Sequence, residues 1–186
     1  MIGAGFWGKN LARNFHQLNV LKLVCDPSKE VDLWKNEKYP DVETSISFAN
    51  TLAKPEIDVV AIATPAVMHY SMARKSLLAG KHVFVEKPLA MTAQEGEELV
   101  SLAREKNKIL FVGHVLQYHP AVVTIKKMLR EGELGKIQYI YSNRLNLGKI
   151  RREENILWSF APHDISVILS LVQEEPVTVK VVGSNI

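Results

Sequence analysis

A short run that is apolar on both faces, His82-Val83-Phe84-Val85, passes directly into Glu86-Lys87-Pro88. A strand of this kind suits a parallel sheet covered by helices on both sides. Proline supplies no backbone donor and denies the α region to the residue before it, so Lys87 is expected to be extended at the strand's carboxyl end. In open α/β sheets that end is where ligands lie. A lysine there, beside apolar walls, can be desolvated until it serves as a base. The same residues also fit a surface ion pair after an ordinary strand, and the rest of the chain has to decide between the two.

The chain has 186 residues, enough for one domain or one and a part, with 47% hydrophobic and 23% charged residues, as in an ordinary globular protein. A net charge of +3 is too mild to argue for nucleic acid, and no basic helix with interleaved aromatics is present. The single cysteine, Cys25, cannot form an internal disulfide and lies in an apolar run, which fits a reducing compartment and a core position. The first residues hold no basic region followed by an apolar one, so no signal peptide is expected, and a cytoplasmic location follows. The apolar stretch around Val59 to Ala63 is far too short to span a membrane.

Near the N-terminus stands Gly3-Ala4-Gly5-Phe6-Trp7-Gly8, a G-x-G-x-x-G pattern. It precedes a helix with Leu11, Phe15 and Leu18 on one face, then an apolar strand, 20–26, that ends in Asp26. Alone the glycines are a weak signal. With the helix, the strand and an acid about 18 residues beyond Gly8, they match a dinucleotide-binding fingerprint. Gly3 permits a tight turn, Gly5 lets backbone amides approach a pyrophosphate, and Gly8 allows close helix–strand packing. The helix N-terminus turns partial positive charge toward the phosphates. Asp26 would accept hydrogen bonds from the adenosine ribose and repel a 2′-phosphate, favouring NAD over NADP, although Ser28 and Lys29 could still hold a phosphate. Only two residues precede Gly3, whereas a strand normally needs about five or six, so the chain as given is expected to start late.

A short charged helix or loop at 31–39, a brief strand at 42–46 and a short helix capped by Ser47 come next. Residues 57–63 read as another buried strand, ending in Thr64-Pro65 at the cofactor side. A helix at 68–78 follows, with Gly80 as its C-cap and His69 in its first turn, where it could face the cleft or serve the core. Thr92 caps a long amphipathic helix to Asn107, and 108–112 reads as a sixth buried strand. This alternation predicts a doubly wound parallel sheet, a Rossmann α/β fold, over residues 1–113. Beyond it, residues 114–186 read as the beginning of an α+β domain with an antiparallel sheet. It would comprise a helix to about Arg130, a half-exposed strand at 136–145, a polar loop at 146–155, a segment at 156–165 followed by a helix to about Val172, and a strand at 177–182.

Gly3 to Gly8, Asp26, Ala63-Thr64-Pro65, Glu86-Lys87-Pro88 and His163-Asp164, in this order, resemble the Gfo/Idh/MocA oxidoreductases. The similarity covers nearly the whole chain, and Glu-Lys-Pro is its most specific motif. Gly113-His114, Tyr118-His119-Pro120 and 157–164 are similar to the family's nucleotide-sugar branch, which oxidises the 3-hydroxyl of UDP-N-acetylglucosamine or its uronate. The resemblance implies an NAD-dependent dehydrogenase, a nucleotide-sugar substrate, a homo-oligomer in the full-length form, and a chain truncated at both ends. It assigns Lys87 and His163 to proton transfer and substrate contact, with Tyr118 and Arg144 as further substrate contacts. To the cofactor it assigns Gly3, Gly5, Phe6, Trp7, Gly8, Asp26, Thr64, Pro65, His69, Glu86, Lys87 and Gln117. Two positions depart from the pattern. Ser159 stands where many relatives have an aspartate four residues before the histidine, and Gln117 stands where an arginine often precedes Tyr-His-Pro. Asp164 is expected to brace its helix rather than act as a base.

Eight basic residues, Lys126, Lys127, Arg130, Lys136, Arg144, Lys149, Arg151 and Arg152, outweigh Glu131 and Glu133 between 126 and 152, a field that would draw a diphosphate. For most of them a solvated face explains as much; Arg144, at the end of a strand, is the exception. The histidines show no metal-ligand spacing, and no metal is expected. The alternatives to a dehydrogenase are a non-catalytic NAD-binding module or remnant, and an NADPH-using reductase of the same fold.

Overall fold

The structure, a computed structural model, describes residues 1–145 and 155–183. The chain forms two compact units, Met1–Gly113 and His114–Ile186.

In the first unit five short strands alternate with helices: α1 (Phe6–Gln17), β1 (Leu23–Cys25), α2 (Glu30–Lys38), β2 (Glu43–Ser45), α3 (Phe48–Ala53), β3 (Val59–Ile62), α4 (His69–Leu78), β4 (His82–Val85), α5 (Ala93–Glu105) and β5 (Leu110–Val112). β1 pairs with β2, and β3, β4 and β5 pair in that order, every ladder parallel. Ile2 joins the two groups. It bridges Cys25 on one side and Ile62 on the other, with its N–H donating to the Ala61 carbonyl at 2.7 Å and its own carbonyl accepting from Ala63 N–H at 2.8 Å. The order is therefore β2, β1, Ile2, β3, β4, β5, and successive connections leave Ile2 in opposite directions. That is the switch point at which doubly wound sheets bind ligands.

The inner strands β1, β3 and β4 are largely apolar because both faces are covered, whereas β2, Glu43-Thr44-Ser45, is polar and mostly exposed. Ile62, Val60, Val83 and Val85 are buried against Leu77 and Ala73 of α4 and Leu99 and Ala103 of α5. Val24, Ala61, Leu11 and Ala12 form the core of the other face with Met1 and Leu21. Cys25 is buried in the first of these clusters, as its apolar run predicts. β5 departs from expectation, because Phe111 is 40% exposed and Leu110 and Val112 are only partly covered. It has a paired neighbour on one side only.

Local chemistry sets the helix limits. The Ser47 hydroxyl accepts from Asn50 N–H at 3.2 Å and the Thr92 hydroxyl from Glu95 N–H at 3.2 Å, each satisfying an otherwise open helix donor. The 68–78 helix splits: Pro65 leads into a 3₁₀ turn at Ala66–Met68, and the α-helix begins at His69. Gly80, at φ 73°, follows its last turn.

In the second unit a 3₁₀ turn, Val115–Tyr118, precedes α6 (Pro120–Arg130), and α7 spans Ile156–Val172. The His119 ring nitrogen caps α6 by accepting from Ala121 N–H, ahead of a proline at its first position. Asn155 caps α7, which begins earlier than expected and runs on through Pro162. The expected strands at 136–145 and 177–182 are not formed among the described residues. Those segments join no ladder, and alternation alone cannot make a strand without a neighbour to bond to. Lys136 to Ile140 instead line an open groove of about 630 Å³ with α6 and α7. The expected polar loop at 146–155 lies, up to residue 154, outside the described residues, as do Lys149, Arg151 and Arg152. Among the described residues no helix is long and apolar enough to cross a membrane.

Candidate active site

The glycine turn joins Ile2 to α1. Gly3 has φ 85°, and a Cβ there would lie 2.8 Å from the Ala63 carbonyl oxygen and 3.1 Å from Thr64 Cγ2. Turn and strand end touch at that point, leaving no room for a side chain. A Cβ on Gly8 would meet the Gly3 carbonyl oxygen at 2.1 Å, so the helix can pack this closely only on glycine. Gly5 differs, since a Cβ there would have nothing within 4 Å. It is also the N-cap of α1, and no side chain caps the helix. The first amides of a 12-residue helix thus end beside open space.

Asp26, at the end of β1, closes the same turn. Its Oδ2 accepts from Ala4 N–H at 2.7 Å and its Oδ1 from Ser28 N–H at 2.9 Å. The carboxylate is fixed by two backbone donors, and each oxygen still has a lone pair to offer a hydroxyl.

Glu86, at the end of β4, is buried, and its Oε1 accepts from the Trp7 indole N–H at 2.6 Å. A Cβ at Gly113 would come within 2.9 Å of the same oxygen, so the carboxylate rests on a glycine at the end of β5. Burial pushes the Glu86 carboxyl above its usual range, and the Trp7 hydrogen bond partly offsets that rise. Glycine loop, Glu86 and the adjoining Lys87 are thereby brought to one edge of the sheet. The Lys87–Pro88 peptide bond is cis.

His69 is 1% exposed. Its Nδ1 lies 2.7 Å from the Pro88 carbonyl oxygen and its Nε2 2.8 Å from the Thr64 carbonyl oxygen. Of the two roles open to it in the sequence, the structure gives it the internal one, because both ring nitrogens are occupied by backbone. The Thr64 hydroxyl turns to Met72 Sδ at 3.6 Å, and Pro65 leads into the following turn. Phe6 is 89% exposed in the first turn of α1.

The remaining residues with assigned roles lie in the second unit. Gln117 and Tyr118 are on its 3₁₀ turn, where the Gln117 side-chain oxygen Oε1 accepts from Lys126 Nζ. Arg144 is engaged by Asp164 of α7, Nε to Oδ2 at 2.7 Å and Nη2 to Oδ1 at 3.2 Å, and the Ser142 hydroxyl adds a third bond. Arg144 holds the Asp164 carboxyl below the usual aspartate range. Asp164 thus ties α7 to the 142–144 segment instead of bracing its own helix, and it engages the guanidinium assigned to substrate. His163 is on α7 beside it.

Residues 1–114 match the model of an oxidoreductase family with an NAD-binding Rossmann fold. The chain belongs to the Gfo/Idh/MocA oxidoreductases. It is 28% identical over 190 residues to UDP-N-acetylglucosamine 3-dehydrogenase from Acidithiobacillus ferrooxidans, covering 98% of this chain and 56% of that protein. It is 31% identical over 142 residues to scyllo-inositol 2-dehydrogenase (NADP(+)) IolW from Bacillus subtilis, covering 76% of this chain and 38% of that protein. Among solved structures, the oxidoreductase yvaA from Bacillus subtilis superposes with a TM-score of 0.81 at 28% identity, over 91% of this chain and 51% of that one. GenD2 from gentamicin A biosynthesis, in complex with NAD, gives 0.66 at 26% identity, over 71% and 38%. The chain spans about half the length of the curated relatives it matches.

As a Gfo/Idh/MocA Rossmann unit, residues 1–113 fit a nicotinamide dinucleotide. The open space at Gly5 and the uncapped α1 amides would hold the pyrophosphate, and Asp26 the adenosine ribose. The glycines and Asp26 were readable from spacing. The Trp7–Glu86 bond and the contact of His69 with Pro88 were not, because their partners stand 79 and 19 residues apart, beyond any local pattern.

Proposed function

We propose that the protein is an NAD-dependent dehydrogenase that oxidises a sugar hydroxyl, with C3 of a UDP-N-acetylhexosamine or its uronate as the favoured position. The observation that carries this reading is the junction at the end of β4. Glu86, tied to the glycine loop through Trp7, is followed directly by Lys87 at the ligand edge of the sheet. The 28% identity to a UDP-N-acetylglucosamine 3-dehydrogenase over almost the whole chain supports the choice of sugar.

In this reading the bound nicotinamide supplies the hydride acceptor. The Lys87 amine takes the hydroxyl proton, and a lysine that shares a site with a cationic ring releases its own proton more readily. By the family resemblance, His163 is assigned to proton transfer. Glu86 positions Lys87 or meets the nicotinamide ribose, Thr64 and Pro65 flank the cofactor, and Tyr118 and Arg144 contact the sugar. Engagement of Arg144 by Asp164 means that a substrate diphosphate would have to compete with, or bind beside, that ion pair. Asp26, by repelling a 2′-phosphate, favours NAD over the NADP named for the inositol relative. We assign the protein to the cytoplasm and its full-length form to a homo-oligomer.

The test is NADH formation from NAD with UDP-N-acetylglucosamine, its uronate and scyllo-inositol in parallel. A nucleotide sugar is expected to give NADH and the inositol little. Lys87→Ala is expected to lower kcat by about a hundredfold or more. Undiminished turnover in that variant would end the assignment.

A further inference from the structure

Trp7 lies in the first turn of α1, the helix whose open amides follow the glycine turn, and 43% of its surface is exposed. Core packing alone does not account for a side chain so open. Its indole N–H reaches across the sheet to Oε1 of Glu86 at 2.6 Å. Glu86 is buried, and two donors favour its charged form, that indole and the backbone N–H of Lys87. On a third side, a Cβ at Gly113 would come within 2.9 Å of Oε1 and 3.0 Å of Oε2, so a side chain there would move the carboxylate. The carboxylate thus has a seat built from three places in the fold: the start of α1, the segment after β4 and the residue after β5. The backbone under it is fixed as well. Glu86 N–H donates to the Ile62 carbonyl at 2.9 Å, and Gly113 N–H to the Val85 carbonyl at 2.8 Å. A carboxylate held in one place then sets the direction of the peptide N–H that bonds it, which is that of Lys87.

We propose that Trp7 is a positioning residue for Lys87. Its indole fixes the Glu86 carboxylate, and the carboxylate fixes the Lys87 peptide. The helix end that meets the phosphates of a dinucleotide is thereby linked to the strand end that carries the reactive amine. Of the two roles open to Glu86, this gives it the orienting one. The ring of Trp7 acts through Glu86 and does not need to touch the cofactor. An aromatic ring without a donor would fill much of the same space and leave the carboxylate unheld, which separates this role from packing. The catalytic consequence rests on the reading of Lys87 as the reactive amine; the link from Trp7 through Glu86 to the Lys87 peptide does not.

The link is tested without cofactor or substrate, by treating the intact chain with a limiting amine-reactive ester. Acylation of Lys87 is followed by peptide mass spectrometry, with the exposed Lys75 of α4 as internal control. Trp7→Phe keeps a ring and removes the donor; it is expected to change the Lys87 rate by about threefold or more and to leave Lys75 unchanged. Trp7→Tyr, whose O–H can donate instead, is expected to lie nearer the wild type. Gly113→Ala presses on the carboxylate from its other side and is expected to alter the Lys87 rate in the same way, so it serves if Trp7→Phe does not fold. A Lys87 rate equal to that of the wild type, in whichever of the two folds, would overturn the proposal. In turnover with NAD and a nucleotide sugar, Trp7→Phe is expected to lower kcat about tenfold with KM for NAD within about twofold. In a Glu86→Met background the same substitution is expected to have no further effect on kcat. A raised KM for NAD at unchanged kcat in both backgrounds would make Trp7 a direct cofactor contact and overturn the positioning role. Altered labelling together with no turnover by the wild type, or with full turnover in Lys87→Ala, would place the fault in the dehydrogenase reading and leave the link standing.

Discussion

Glu86 is the residue at which burial and function conflict most directly. A carboxyl whose pKa is higher folded than unfolded stabilises the fold in its protonated state and loses that contribution as pH rises. Stability should therefore be fullest below the ordinary glutamate value of 4.5 and decline as pH climbs through the raised one. Glu86→Gln, which has no such titration, should show a flatter dependence in urea unfolding at a series of pH values; parallel curves for the two proteins would contradict the account. Trp7→Phe removes the donor that partly restrains the rise. It should extend the decline to higher pH and cost about 1 to 3 kcal/mol at neutral pH. Asp26 shows what sequence can predict at this scale. Its place at a strand end after a glycine loop pointed to a ribose contact, whereas the two backbone amides that fix its carboxylate are seen only in the structure. Trp7 and Glu86 stand 79 residues apart, and only the folded sheet makes them partners.

Among the elements, α5 shows how local and long-range signals combine. Its start was legible in Thr92, whose hydroxyl caps it, and its buried face in Leu99 and Ala103 at helical spacing. What lies against that face was not legible. Leu99 is fully buried beside Leu77, Val83 and Val85, so Leu99→Ala opens a cavity in the layer between helices and sheet. The expected loss is about 2 to 5 kcal/mol in chemical denaturation with an unchanged slope. A loss below about 1 kcal/mol would mean that the layer collapses around the gap. The second unit gives the opposite lesson. Alternation at 136–145 and 177–182 suggested strands, yet those segments form no ladder, because pairing depends on a neighbour that periodicity cannot supply.

For the molecule as a whole, the central feature is that Ile2 carries parallel bridges on both sides and places the glycine turn at the switch point of the sheet. A ligand that binds only the folded chain raises its stability by mass action, by about 2.7 kcal/mol at a hundredfold excess over Kd. NAD should therefore raise the melting temperature of the 186-residue chain in a concentration-dependent way. NADP at the same concentration should raise it less if Asp26 meets the adenosine ribose as proposed, since its carboxylate would repel the 2′-phosphate. A larger shift with NADP would reverse the cofactor assignment. No shift with either would remove the basis for a dinucleotide site.

The sequence by itself determined the class of fold, the alternation of strands and helices in the first unit and the Ser47 and Thr92 helix caps. Those depend on periodicity, on backbone limits at glycine and proline, and on side chains that bond within a few residues. Only the tertiary structure decided that His69 would bond two backbone carbonyls instead of facing the cleft, that Trp7 would hold Glu86, and that Arg144 would be engaged by Asp164. Each of these is a contact between elements. Its partner is chosen by how helices and strands pack, and no local pattern in the chain encodes that choice.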